Sequence, residues 1–271
     1  MSNRPVFKPT LEGDRLVETL NIEFTWFPGF SVSQKQKSIQ SLHEEAIKTA
    51  NIKKILEIST KSENEIGVRA SAFNLKIRLE NGDLASVESF YQGSKVFKHG
   101  GPYIDIYKKN SYESKKDERL QSSGDLVSFT FEEQHWDIDE YFYDWLYLNA
   151  LIQNKEIATE ILQYEAYTDI EFNPKKSYNC QAHTAALFKA LTMRKIDLNE
   201  LRSPKNFKKI KIPTAVAEFP KEMSEWPPKS YVKRIFNLKR WTKMKRGGHF
   251  AALEQPDLLV NDIRTFARSL R

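Results

Sequence analysis

The sequence predicts an α+β fold: a mainly helical domain with a small β-hairpin and sheet, followed by a short βαβα appendage at its C-terminal end. Three observations predict it. In SVSQKQKSIQSLHEEAIKTA the apolar residues Ile39, Leu42, Ala46 and Ala50 recur at helical spacing. Between residues 75 and 87, apolar and charged residues alternate about the turn Asn81-Gly82-Asp83. After a lysine-rich stretch bounded by Pro204 and Pro213, the composition changes and the apolar pattern restarts.

Taken in order, residues 1–22 read as an irregular lead-in. Ser33-x-x-Gln36 has the form of a capping box, so a helix is expected to start at Ser33. Leu75, Ile77 and Leu79 alternate with Lys76, Arg78 and Glu80, and the pattern resumes after the turn as Leu84-Ala85-Ser86-Val87, which predicts a hairpin. The segment Tyr141 to Tyr164 is apolar on several sides, through Phe142, Trp145, Leu148, Leu151, Ile152, Ile161 and Leu162; that predicts one helix buried in the domain. Another helix is expected from about Gln181 to Met193. The boundaries that follow are a domain over 1–200, a basic linker over 201–211, and a fragment over 212–271. This last part reads as a strand from Thr214 to Phe219, a proline-rich helix entry, a strand near Trp241, a turn at Gly247-Gly248 and an amphipathic final helix.

A chain of 271 residues that is 40% hydrophobic holds enough apolar material for one full core and a small second unit. No window approaches the ~18 uncharged apolar residues of a membrane span, and MSNRPVFKPTLEGDR has no apolar signal-peptide core. The expectation is a soluble, cytoplasmic protein with no membrane partner. The single cysteine, Cys180, excludes an internal disulfide framework and an all-cysteine zinc site. The net charge of +6 is unevenly placed: residues 201–271 carry 17 Lys and Arg against 6 Asp and Glu, whereas residues 1–200 carry 25 against 30. Attraction to a phosphate backbone therefore belongs to the tail or to local pockets, unless those lysines only keep the surface soluble.

The most informative stretch is ASAFNLKIRLENGDLASVESFYQGSKVF, residues 70–97. It places Phe73-Asn74 before the hairpin, then Val87-Glu88, Phe90-Tyr91, Gln92-Gly93 and Lys95 after it. GGPYIDIY (100–107), Lys116-Asp117-x-Arg119, Trp136, FYDWLYLNALIQN (142–154) and AYTDIEFNPKKSYNCQA (166–182) follow in order. This collinear pattern, over about residues 20–195, resembles the NADAR family of the YbiA-like superfamily. The extended WFPGFSVSQKQKSIQSLHEEA lead and the TDIEFNPKKS block are similar to its branch of antitoxins paired with DarT-type toxins. Ser86-Val87-Glu88-Ser89 departs from YbiA-like members, which flank the glutamate with Trp-Pro and His. The resemblance implies cleavage of a glycosidic bond at the distal ribose of ADP-ribose. In the toxin-paired branch it implies removal of ADP-ribose from guanine bases in DNA, reversing the DarT-type modification.

Such chemistry needs an acid–base group at the anomeric carbon, and Glu88 is the candidate, flanked by Phe90 and Tyr91, which would desolvate its carboxyl. The other reading is a solvated glutamate complementing a helix N-terminus. Lys35 falls on the same helix face as Ile39, Leu42 and Ala46, where burial and the helix N-terminus both disfavour an ammonium. A neutral amine there attacks an opened ribose as a Schiff-base nucleophile, a route also associated with this branch. Its alternative is to run along apolar surface into water or to pair with a phosphate. Lys95, Lys116 and Arg119 are candidate diphosphate partners, with surface charges as the alternative. Trp136 and Phe172 are candidates to stack on adenine, with core packing as the alternative; Asp169, Asn173 and Asn179 are candidates for ribose hydroxyls. Phe73, Asn74, Tyr91 and Gln92 join the ligand-binding set from the motif itself. Cys180 has no evident histidine partner and reads as packing.

No metal-spaced cluster of His, Cys and Asp occurs, and no cofactor is expected. The tail resembles the last strands and helix of an epoxide-hydrolase-type α/β-hydrolase, placing His249 at the triad histidine, but no nucleophile elbow precedes it. His249 is therefore read as structural in a catalytically incomplete fragment. The functional expectation is an ADP-ribosyl-guanine hydrolase. The rival is a non-catalytic module binding ADP-ribose or an NAD metabolite.

Overall fold

The structure is a computed structural model that describes residues 1–11, 15–138, 141–174, 179–211, 213–223, 226, 229, 232 and 237–270. It divides into two compact units, Met1–Arg202 and Ser203–Arg271.

The first unit opens with two antiparallel strands, β1 (Ser2–Pro9) and β2 (Val17–Phe24), paired from Ser2↔Phe24 to Pro9↔Val17. The expected irregular lead-in is thus a strand pair. Pro5 and Pro9 disguise it, because proline cannot donate to a ladder. They are tolerated because the other edge of β1 meets a strand only at Phe7↔Tyr167. Val6, Ile22 and Phe24 are buried and supply the apolar side.

Helix α1 (Val32–Ala50) follows, capped by Ser31, whose side chain accepts from the Gln34 amide. The cap lies two residues before the expected Ser33. Ser31-x-x-Gln34 has the same box form, and the Ser33 hydroxyl instead lies 3.1 Å from that of Ser31. Ile39, Leu42 and Ala46 of α1 pack with Val6, Phe24, Ile52 and Ile170 in one cluster. Strand β3 (Ile55–Glu57) runs parallel to a later strand, Ala166–Thr168, and that pairing sets Glu57 beside Thr168.

After a short helix α2 (Glu65–Arg69), the alternating segment forms the hairpin β4 (Lys76–Arg78) and β5 (Leu84–Ser86). Gly82 takes φ 91°, a left-handed conformation suited to glycine. Helix α3 (Val87–Gly93) starts directly at the end of β5. Strands β6 (Lys95–Phe97), β7 (Leu126–Phe131) and β8 (Gln134–Asp137) form an antiparallel sheet. Between β6 and β7 lie a 3-10 turn, Ile104–Lys108, and the short helices α4 (Ser111–Lys115) and α5 (Arg119–Ser122).

Helix α6 (Phe142–Gln153) is buried from Phe142 through Leu151. The expected single helix over 141–164 breaks at Asn154, where α7 (Lys155–Ile161) begins. The Asn154 side chain donates to the Lys76 and Ala150 carbonyls, so a polar residue ending α6 ties it to the hairpin. Strand β9 is Ala166–Thr168, and helix α8 spans Gln181–Met193.

In the second unit, residues expected as part of the linker form helix α9 (Pro204–Lys211). Phe207 is fully buried and gives this lysine-rich helix an apolar anchor. Strands β10 (Pro213–Glu218) and β11 (Asn237–Lys243) pair in parallel. A last helix, Pro256–Ser269, is tied to β11 where Arg240 and Thr242 donate to Asp262. The expected proline-rich helix entry lies mostly outside the described residues. No described helix is long and apolar enough to cross a membrane.

The cap assignment is testable. Ser31→Ala should cost about 1 kcal/mol of unfolding free energy in urea. Ser33→Ala should cost distinctly less, and the reverse order would return the cap to Ser33.

Candidate active site

Glu88 sits in the first turn of α3 and is 7% exposed. Two backbone bonds fix that turn to the segment before the hairpin: Val87 N–H donates to the Leu75 carbonyl and Glu88 N–H to the Ala72 carbonyl, both at 2.9 Å. Serines frame it. The Ser86 side chain accepts from Ser89 N–H, Ser114 donates to Ser89, and Ser111 donates to the Phe73 carbonyl while lying 2.7 Å from the Ser86 hydroxyl. Ser86 and Ser89, the residues that depart from the YbiA-like pattern, thus bind α3 to α4.

A short polar chain leads away from the carboxylate. Gln92 donates its amide nitrogen to Glu88 Oε1 at 2.9 Å, and its amide oxygen accepts from Lys95 Nζ at 2.7 Å. Lys95 Nζ also lies 4.8 Å from the centre of the Tyr91 ring. Burial pulls the Lys95 ammonium down to about 8; the Glu88 carboxylate opposes that shift and Lys115 adds to it. Asn179 donates to the Tyr91 hydroxyl at 2.7 Å, while burial pushes that phenol up. Phe73 carries Lys115 Nζ 5.3 Å from its ring centre. Glu88, Gln92, Lys95, Tyr91 and Asn179 are therefore linked in sequence, while Phe73 meets Ser111 and Lys115 of α4.

Lys35 belongs to a second cluster. Its Nζ is 3.1 Å from Glu171 Oε1 and 4.9 Å from the Trp26 ring centre, and its side chain is 16% exposed. Asp169 lies two residues before Glu171 and accepts from the Glu171 amide at 3.0 Å. Burial, aided by neighbouring Glu57, pushes the Asp169 carboxyl well up. Phe172 follows in the same turn, its ring 6.3 Å from that of Phe7, and Asn173 next to it is half-buried. Burial, with the Glu88 and Asp169 carboxylates adding to it, pushes the phenol of Tyr143 far up, and its ring centre lies 5.2 Å from that of Tyr91.

Other sequence candidates are committed elsewhere. Arg119 makes a two-pronged contact with Asp105, at 3.1 and 2.7 Å, and a second with Asp117, both at 2.8 Å. Its guanidinium holds the Asp117 and Asp105 carboxyls below the usual range. Lys116 is exposed and lies 4.1 Å from the Tyr112 ring centre. Both line an open depression with Lys109, Glu113 and Asp117. Trp136 is fully buried, its ring centre 5.5 Å from that of Phe142 and 5.1 Å from that of Trp145, which makes it core in this structure. Asn74 is exposed and donates to the Val68 carbonyl and Ser71 hydroxyl, bracing its own turn. Cys180 is buried, and its thiol is pushed well up by desolvation. In the second unit, His249 Nδ1 pairs with Glu222. Among the described residues, no group of three or more His, Cys, Asp or Glu is arranged to hold a metal ion.

Sequence reading missed Glu171, Trp26, Tyr143, Lys115 and Gln181. Trp26 and Glu171 lie in motif blocks, but their meeting with Lys35 is a long-range contact that no local pattern signals.

The Lys95 environment makes a signed prediction. Glu88→Gln removes the charge that supports the Lys95 ammonium and should move its titration below pH 8, whereas Lys115→Met should move it up. Side-chain NMR shifts against pH read both, and a Lys95 that titrates at the ordinary lysine value in all three proteins refutes the arrangement.

Two sets of known proteins resemble the chain. A segment is 45% identical over 58 residues to "Epoxide hydrolase 1" of Sus scrofa, covering 21% of this chain and 13% of that protein. Another match, 39% over 67 residues, is to a "Putative epoxide hydrolase" of Stigmatella aurantiaca, covering 23% and 14%. The chain therefore spans only about a seventh of the length of those curated relatives. The second resemblance is far more extensive: the DarT1-associated NADAR antitoxins match residues 2–219, past Arg202 and through α9 and β10. By that coverage the chain belongs to the DarT1-associated NADAR antitoxin family.

Proposed function

We propose that the chain removes ADP-ribose from guanine bases in single-stranded DNA, with Glu88 as acid–base group and Lys35 as the amine that takes up the opened ribose. The family supplies the setting, an antitoxin whose functional partner is a DarT toxin. The observation that carries the reading is the Glu88 carboxylate: buried, and hydrogen-bonded through Gln92 to the half-buried Lys95 ammonium.

In this mechanism the anomeric carbon of the distal ribose is the electrophile. The Lys35 ammonium first gives a proton to Glu171, 3.1 Å away. The free amine adds to the anomeric carbon as the bond to guanine breaks, and the Glu88 carboxylate takes the proton that the new ammonium sheds and passes it to the departing guanine nitrogen. The ring oxygen then leaves that carbon with the proton held by Glu171, and the protonated imine so formed takes up water to release ADP-ribose and restore the amine. Lys95 is the group of the three expected cations best placed for the diphosphate, since Arg119 is held by two carboxylates. Tyr91, Phe73, Phe172 and the carboxyl and amide groups of Asp169, Asn173 and Asn179 surround base and ribose. The +11 of residues 201–271 supplies the attraction to DNA phosphates that the acidic residues 1–200 lack.

Incubation with ADP-ribosylated single-stranded DNA carrying modified guanine or modified thymine tests the reading directly. Release of ADP-ribose from guanine alone supports it, and tight binding without release makes the chain a binding module. Glu88→Gln should keep the fold and lower hydrolysis by ~100-fold or more; near-normal turnover removes Glu88 from the mechanism.

Lys35→Arg separates covalent from electrostatic roles, because arginine keeps the charge and cannot form the imine. It should be nearly as damaging as Lys35→Ala. Wild-type turnover in Lys35→Arg would leave Glu88 and an activated water as the simpler account.

A further inference from the structure

The two clusters are joined by one side chain. Gln181, the first residue of α8, turns its amide oxygen to the Ala72 amide at 2.7 Å and donates its amide nitrogen to the Ile58 carbonyl at 2.8 Å and to Asp169 Oδ2 at 3.0 Å. Both protons and the oxygen of the side chain are thereby used, and its orientation is fixed: only the oxygen satisfies the Ala72 N–H, and only the nitrogen satisfies a carbonyl and a carboxyl.

Two of these three contacts lead to a candidate catalytic group. Ala72 accepts from the Glu88 amide through its carbonyl, so the residue held by Gln181 is also the one that anchors the first turn of α3. On the other side, Asp169 accepts the Glu171 amide at 3.0 Å, and Glu171 reaches Lys35 at 3.1 Å. The Asp169 turn is clamped from beneath as well. Glu57, 3% exposed, accepts the Ile170 amide at 2.8 Å and the Thr168 hydroxyl at 2.7 Å. With its proton so committed, Thr168 receives His43 Nε2 at 2.8 Å, and His43 lies on α1 two turns beyond Lys35. Helix α1 thus meets this segment at Lys35–Glu171 and at His43–Thr168, and Gln181 meets it from α8 at Asp169.

We infer that Gln181 is a positioning residue that sets Glu88 and the Lys35–Glu171 pair relative to one another, by holding Ala72 with one end of its amide and Asp169 with the other. The inference rests on the proposed function for its catalytic consequence and on geometry alone for its structural one. Two-group chemistry at one anomeric carbon is sensitive to such spacing, and a displacement of about 1 Å costs on the order of 100-fold in rate.

The test uses Gln181→Met, which keeps length and volume but removes all three hydrogen bonds, and Gln181→Glu, which keeps the acceptor for Ala72 while facing Asp169 with a second carboxylate. Both should lower kcat by about 10- to 100-fold with a much smaller change in KM. A second measurement needs no turnover: the rate at which a soluble amine-reactive reagent labels Lys35, read by mass spectrometry against exposed Lys48 on the same helix. Labelling of Lys35 relative to Lys48 should rise several-fold in Gln181→Met and in Glu171→Gln, and Gln181→Met should add nothing in the Glu171→Gln background, because it acts through Glu171. If the wild-type chain releases no ADP-ribose, the proposed function fails while the labelling still decides the role of Gln181. Unchanged relative labelling in Gln181→Met overturns the inference, as does an additive effect in the double variant. Should both Gln181 variants fail to fold, Asp169→Asn opposes two amide NH2 groups across the same link and must give the same labelling change.

Discussion

A carboxylate taken out of water must be met by donors or give up its charge, and the first unit is organised by that requirement at Glu57, Asp169 and Glu88. Glu57 is met by a backbone amide and a hydroxyl, Asp169 by a backbone amide and Gln181, and Glu88 by Gln92. Burial pushes both the Glu57 and Asp169 carboxyls up, with Glu171 adding to the rise of Glu57 and Glu57 to that of Asp169. The two backbone donors, Ile170 to Glu57 and Glu171 to Asp169, are consecutive amides of one turn. The path of residues 168–172 is accordingly dictated by where these carboxylates sit, and that path decides where Glu171 emerges.

The aromatic core performs the complementary task for Glu88. Phe129, Phe131, Phe142, Trp136 and Trp145 pack from the β6–β8 sheet onto α6, with ring centres 5.0 to 6.2 Å apart. Tyr91 joins that stack through Phe129 and Phe142, and Lys95 lies over its ring. A cation placed on an aromatic face and an amide oxygen is desolvated without being neutralised, which explains how Lys95 differs from Arg119. The fork of Arg119 already meets two carboxylates, and an incoming diphosphate would have to displace them.

What the sequence made legible were the features whose pattern is local. Helical spacing put Lys35 on the buried face of α1, alternation about Asn81-Gly82-Asp83 marked the hairpin, and the motif order located Glu88 at a strand-to-helix junction. Features hidden from it depend on competition or distance. Prolines masked β1, two overlapping Ser-x-x-Gln boxes competed for one cap, and a single asparagine split the expected long helix. Phe207 turned a lysine-rich stretch into helix. Trp136 and Asn74 could not be sorted from ligand contacts, because whether an aromatic stacks on a ligand or on Phe142 depends on elements far apart in sequence.

Lys35 shows why the far contacts matter more than the face it occupies. Periodicity brings its stem into the interior, and the expectation from burial alone is an amine that sheds its proton. The structure instead supplies an anion and a π face, each of which receives an ammonium. These are compatible with nucleophilic chemistry only if the same carboxylate that holds the cation also accepts its proton as the anomeric carbon approaches. Glu171 is then partner in one state and base in the next, and its usefulness in both depends on being held in place by a turn whose amides are bound to Glu57 and Asp169. In the proposed mechanism Gln181, which has no contact to Lys35, therefore acts on it through Asp169 and Glu171.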